Sequence, residues 1–137
     1  VLLCYNITMS ENTKLVLNSL KKNPKGLTAY QILNNVQKFK NIQPMTIYRA
    51  LNSLTTNGLI HKTNKNKTFH LCDTAHVCNT TEAHEHNAVL AVCNDCGVAE
   101  ELKTDLFSKI IKNIKSKKRF NFNNFNLEIT TTCKECN

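Results

Sequence analysis

No apolar run in this chain of 137 residues approaches the 18 or so that a membrane-spanning helix needs, so no membrane partner is expected. Acidic side chains are nearly missing from its first half: residues 1–72 hold ten Lys/Arg and a single acid, Glu11. The opening Val1-Leu2-Leu3-Cys4 is too short for the apolar part of a signal peptide and has no basic lead, and a cytoplasmic location is expected. No internal repeat is visible. Two zinc-enzyme patterns are also lacking. Zinc proteases need His-Glu-x-x-His, and zinc deaminases need His-x-Glu with a later Pro-Cys-x-x-Cys. His84-Glu85-His86 fits neither, so the chain is not expected to be an enzyme or to take a small-molecule substrate.

What is present divides unevenly. Residues 73–137 carry eight Lys/Arg against nine acids, so the formal charge of +8 is made of +9 in the first half and −1 in the second. A basic half joined to a near-neutral half points to a polyanion such as duplex DNA on one side only. The plainer alternative is a solvated lysine-rich surface in a chain rich in Lys and Asn. The charge split also argues against a zinc-ribbon adaptor with no DNA role. The hydrophobic share, 41%, is that of a folded chain. Two domains of about 60–70 residues would have thin cores and would need a metal, disulfides or a partner subunit.

The apolar spacing predicts an α+β chain. Leu17 and Leu20, with Leu15 and Val16, place a helix over 13–22, stopped by Asn23-Pro24-Lys25-Gly26. Thr28 caps a second helix over 28–38, with Ile32, Leu33 and Val36 on one face. Pro44 suits the first turn of a third helix, which ends near Asn57 before Gly58. There Ile47, Leu51 and Leu54 face inward, leaving Thr46, Arg49, Asn52 and Ser53 outside and Tyr48 at the edge. Two short runs, LIHKT and TFHLC, flank the polar tetrapeptide Asn64–Lys67 and predict a β-hairpin. Three helices followed by a hairpin is the winged-helix order, over 1–73. Residues 74–87 read as a hinge carrying metal ligands, and 88–137 as a small α/β domain. That domain would hold a strand at 88–93, a return strand at 98–102 and an amphipathic helix over 104–118. One or two further strands would follow in 120–132, with the aromatics of FNFNNFN packed.

Seven cysteines are present, and four of them form two CxxC pairs, Cys93/Cys96 and Cys133/Cys136. Each pair puts two thiolates on one tight turn, and two such turns supply the four ligands of tetrahedral Zn²⁺, with Zn–S at about 2.3 Å. A four-thiolate site is closed to substrate. The alternative is a pair of redox disulfides. All five histidines fall between residues 61 and 86, together with Cys72 and Cys78. His61 and Cys72 lie on paired strands, His84 and His86 in the connector, and Glu101 just past the first knuckle. Cys, His and Glu donors suit Zn²⁺ better than Mg²⁺ or Ca²⁺. Any one of these histidines could equally be a surface or capping side chain.

Several runs then match a known family. Ala29-Tyr30, Met45-Thr46-Ile47-Tyr48-Arg49-Ala50-Leu51 and Gly58-Leu59-Ile60-His61-Lys62 resemble the DNA-binding half of the ferric uptake regulator family. HEHNAVLAVCNDCGVAEEL and the terminal CKEC resemble its metal-binding half. The wing ending in Cys72, with His61 twelve residues after Arg49, is most similar to the zinc uptake regulator branch. The resemblance covers roughly residues 8–137. It implies a homodimeric zinc-responsive repressor that binds a palindromic, AT-rich operator and controls zinc-uptake genes, the alternative being an iron- or peroxide-responsive regulator. It implies two Zn²⁺ per chain: a structural ion on Cys93, Cys96, Cys133 and Cys136, and a regulatory ion on His61, Cys72, His86 and Glu101. Base contact falls to Tyr30 and Arg49, with Tyr48 and Thr46 near them. Arg49 can take a guanine or a phosphate, and Tyr30 can meet a thymine methyl or pack between helices. Lys62, Lys65 and Lys67 are backbone contacts. Three departures stand out: a truncated first helix, Asn124-Phe125 where relatives have a histidine, and Thr131-Thr132 where a small residue is usual.

Overall fold

The computed structural model describes residues 9–72, 87–103, 105–114, 119–120, 122 and 125–137, and Lys112 by its backbone alone. It divides into two compact units, residues 1–79 and 80–137.

In the first unit, α1 spans Glu11–Lys21, two residues earlier than the apolar spacing indicates. Ser10 is the reason. Its hydroxyl accepts the Thr13 N–H at 3.3 Å and lies 2.8 Å from the Thr13 hydroxyl, giving the first turn a cap. Gly26, at φ 80°, turns the chain into β1 (Leu27–Thr28), a strand too short for any periodicity to announce. Thr28 also caps α2 (Ala29–Gln37): its hydroxyl accepts the Gln31 N–H, and the Gln31 side chain accepts the Thr28 N–H at 2.9 Å. α3 (Pro44–Thr56) begins with proline at a position where a missing N–H costs nothing. β2 (Ile60–Lys62) and β3 (Thr68–Leu71) form the expected hairpin, and β1 joins its other edge in the order β1-β3-β2.

Ile47, Ala50, Leu51 and Leu54 of α3 pack with Val16, Leu17 and Leu20 of α1 and Ile32 and Val36 of α2, and Ile60 and Phe69 of the sheet close the same core. Burying each large aliphatic side chain stabilises the unit by about 1.5–3 kcal/mol. The sheet is thereby bolted to the helices, and the outer face of α3 is left to solvent.

In the second unit, β4 (Ala88–Cys93) is buried along nearly its whole length. It is the centre of the sheet β5-β4-β6. β5 (Ala99–Glu101) pairs antiparallel with it, Leu90 opposite Glu101. β6 (Asn126–Thr131) pairs parallel, from Ala88 opposite Asn126 to Cys93 opposite Thr131. A parallel return needs a crossover, and α4 (Asp105–Ile114) lies in it. Among the described residues, 120–132 supply one strand, β6. Phe120 departs from the expected packing: it is exposed, with its ring 6.4 Å from that of Phe122. On α4, Leu106, Ile110 and Ile114 stand 72%, 57% and 45% exposed. Among the described residues no helix is long and apolar enough to cross a membrane.

Candidate metal centre and nucleic-acid interface

The parallel pairing of β4 with β6 brings the two CxxC turns together. Cys93 ends β4 opposite Thr131, and the Asn94 N–H donates to the Thr131 carbonyl at 2.7 Å, so both knuckles leave the same end of the sheet. Each knuckle is tight: the Gly97 N–H returns to the Cys93 carbonyl at 3.2 Å, with Gly97 at φ 75°, and the Cys136 N–H returns to the Cys133 carbonyl at 3.1 Å. The Sγ atoms of Cys93, Cys96, Cys133 and Cys136 all lie within 4.8 Å of one another, and Cys96 and Cys133 are 3.7 Å apart. A tetrahedron with Zn–S bonds of about 2.3 Å has sulfur–sulfur edges of about 3.8 Å. The Cys96–Cys133 edge matches that length, and the whole set is close enough to converge on one zinc ion.

The local electrostatics agree. The Cys96 N–H, followed by those of Cys133 and Asp95, points at the Cys93 sulfur and brings its pKa down to about 6. The latter two donors are 3.3 and 3.4 Å away. Cys136, crowded by Cys133 and Cys96, is pushed up to about 12. The backbone donors thus favour the thiolate of Cys93, while a cluster of four can ionise together only against a cation.

On the wing, His61 of β2 sits opposite His70 of β3, and the Cys72 N–H donates to the Leu59 carbonyl at 3.0 Å, continuing the ladder. Cys72 therefore falls two residues past His70 on the face that His61 uses. An imidazole nitrogen of His61 and Sγ of Cys72 lie within 4.8 Å of each other, and both residues are half-buried. Nitrogen and sulfur at this separation are two donors of a borderline-soft site. Glu101 is half-buried at the end of β5. His86 lies outside the described residues, as do His76, Cys78, His84 and most of the expected hinge.

The residues expected to contact DNA lie on α2, α3 and the wing. Arg49, Asn52 and Ser53 are exposed along α3, Tyr48 is 53% exposed and Thr46 is half-buried. Tyr30, on the first turn of α2, is 70% exposed, so it does not pack between helices. Met45, 61% exposed on the first turn of α3, was not picked out by the sequence reading, although its i, i+4 relation to Arg49 puts both on one row. Lys62, Lys65 and Lys67 are exposed on the wing, and the Lys62 ammonium sits 5.6 Å from the centre of the Phe69 ring.

Helices closed by a short sheet make the first unit a winged helix, and four convergent thiols give the second a cluster that could hold a metal ion. The combination defines a winged-helix protein whose second unit carries a candidate metal site. The chain matches the ferric uptake regulator family over residues 6–130 and belongs to that family. Its members are transcription regulators and not enzymes.

Among relatives, the zinc uptake regulation protein of Escherichia coli (strain K12) is 22% identical over 132 residues, covering 96% of this chain and 74% of that protein. The structure of a zinc uptake regulator complexed with zinc and DNA aligns with TM-score 0.80 at 23% identity, covering 98% of this chain and 87% of that one. Holo XcZur aligns with TM-score 0.74 at 25% identity, covering 96% and 87%.

Proposed function

We propose that the chain is a zinc-responsive repressor that binds a palindromic operator as a homodimer and controls zinc-uptake genes. The observation that carries this reading is the His61–Cys72 pair, two metal donors within 4.8 Å on the hairpin that bears Lys62, Lys65 and Lys67. Metal donors and phosphate-seeking lysines on one short element couple metal loading to DNA contact. The similar zinc uptake regulator that is complexed with zinc and DNA favours the same reading, as does the likeness to the zinc uptake regulation protein.

Two zinc ions per chain are proposed. The structural ion takes Cys93, Cys96, Cys133 and Cys136. The regulatory ion takes His61 and Cys72, with His86 and Glu101 completing a set drawn from both units and their connector. These four residues would hold the ion, and zinc bound there would supply the free energy that favours their convergence. The residues do the rest: Cys72 favours zinc over the oxygen- and nitrogen-rich sets that suit iron. His61 and Cys72 would tie the ion to the wing, so that loading the metal would act on the lysine-bearing hairpin. Taking the competent arrangement from 1% to 99% of the population needs about 5.5 kcal/mol of differential binding.

In this reading Arg49 and Tyr30 contact bases, with Tyr48 and Thr46 beside them on α3, and the three wing lysines contact phosphates. Half-sites of a two-fold operator lie about one helical turn apart, which demands a dimer of fixed spacing. The face of Leu106, Ile110 and Ile114, exposed in a single chain, supplies an apolar surface for a second copy. The test is metal analysis of the purified protein, with operator affinity titrated against Zn²⁺, Fe²⁺ and Mn²⁺. Zinc is expected to raise affinity at the lowest free concentration. A response to iron alone overturns the reading.

A further inference from the structure

One buried polar side chain of the first unit takes no part in the metal or base contacts above. His70, on β3, is only 6% exposed. Its ring lies against the backbone of Gly26, in the turn that leads into β1 and α2. A Cβ on Gly26 would fall 2.6 Å from Nε2 and 2.7 Å from Nδ1 of His70, nearer still to Cε1, so no other residue leaves room for the imidazole.

Through Nε2 the ring also enters a hydrogen-bonded chain. Nε2 is 2.8 Å from the Thr68 hydroxyl, which is 2.8 Å from the hydroxyl of Thr63. Thr63 is fully buried and closes the wing turn. Its N–H donates to the Thr68 carbonyl at 2.8 Å, its hydroxyl reaches the same carbonyl at 3.3 Å, and it accepts the Thr68 N–H at 3.2 Å. Between these two threonines stand Lys65 and Lys67, the latter in the left-handed region at φ 53°.

We propose that His70 is a positioning residue. It is wedged under the Gly26 turn and bonded through Thr68 to Thr63, and so holds the lysine-bearing wing at a fixed attitude to the helices that read DNA. The inference rests on the DNA-binding reading above. An isolated two-stranded hairpin is marginally stable. Ordering a loose one only on contact with phosphate would subtract its lost conformational freedom from affinity. An aliphatic residue at position 70 would fill the same space but take from the half-buried Thr68 hydroxyl one of its two partners, leaving it only Thr63 in the chain that reaches the wing turn. An imidazole does both jobs.

The test uses the full zinc-loaded chain. His70→Leu keeps volume and burial, and His70→Gln keeps a nitrogen near the place of Nε2. Hydrogen exchange at the Thr68 amide reads the wing without DNA. The salt dependence of affinity for an AT-rich duplex and a mixed-sequence duplex reads phosphate contacts, each contributing about −0.9 to the slope of log K against log salt. H70L is expected to exchange faster at Thr68, to bind both duplexes about tenfold more weakly, and to lose about one to two contacts from the slope. H70Q is expected to keep most of the wild-type slope, which a purely structural effect of altering the core would not restore. Thr68→Val, with Thr68→Ser as its conservative partner, repeats the comparison if H70L does not fold.

Unchanged exchange and slope in H70L and T68V overturn the proposal. The double variant K65Q/K67Q separates this from the functional reading. If it lowers the slope while H70L does not, the wing contacts DNA without help from His70. If neither lowers it, the wing contact itself is wrong and the proposal falls with it.

Discussion

The two units solve the problem of small size differently. Among the described residues, the first buries thirteen apolar side chains in one cluster that joins α1, α2, α3 and the wing sheet. Among the described residues, the second buries five, all on β4. Its helix α4 turns Leu106, Ile110 and Ile114 outward. The first unit is held by burial of oil-like surface. The second is held by a strand ladder locked at one end by four thiols, with an apolar face left over for another molecule. A domain stabilised in this way answers to metal and to association, while one stabilised by its core does not.

Removing the structural metal, by chelation or Cys133→Ser, is the harshest way to break that contrast. Binding of this kind is worth on the order of 10 kcal/mol in small zinc domains. The second unit should lose protease resistance while the amides of α1–α3 stay protected from exchange. Leu51→Ala is the mirror image. It should cost about 2–5 kcal/mol through the cavity it leaves. The transition of the first unit should shift in thermal unfolding, and the four-thiol site should keep its zinc.

Smaller effects sharpen the division of labour. Cys72→Ser should leave one zinc per chain by metal analysis but abolish the zinc-dependent gain in DNA affinity, a coupling of about 1–3 kcal/mol. Arg49→Ala should weaken operator binding by about 1–3 kcal/mol in gel shift, with zinc content unchanged. Lys65→Gln should have the smallest effect, reducing the salt slope by about 0.9 on any duplex and leaving sequence preference alone.

Much of this was legible in the chain. The expected helices over 28–38 and 44–57 are found at Ala29–Gln37 and Pro44–Thr56, because capping and apolar spacing are local signals. The hairpin and both knuckles follow from short runs and CxxC spacing in the same way. What escaped was non-local. β1 is two residues long and exists because Leu27 and Thr28 meet Phe69 and Thr68 across the sheet. The parallel return of β6 onto β4, which unites cysteines separated by 36 residues, leaves no mark in either strand. His70 looked like one more candidate ligand in a histidine-rich stretch. Only the fold puts it beneath Gly26, since a glycine's reason for being glycine lies in what packs against it.

The most direct measurement is DNA affinity followed while zinc is added stepwise to metal-free chain, with bound zinc counted at each step. If the wing donors form the switch, affinity stays low through the first equivalent, which fills the thiol site, and rises through the second; in C72S the second rise is missing. Equal affinity at one and two equivalents, or an unaltered rise in C72S, would contradict the account.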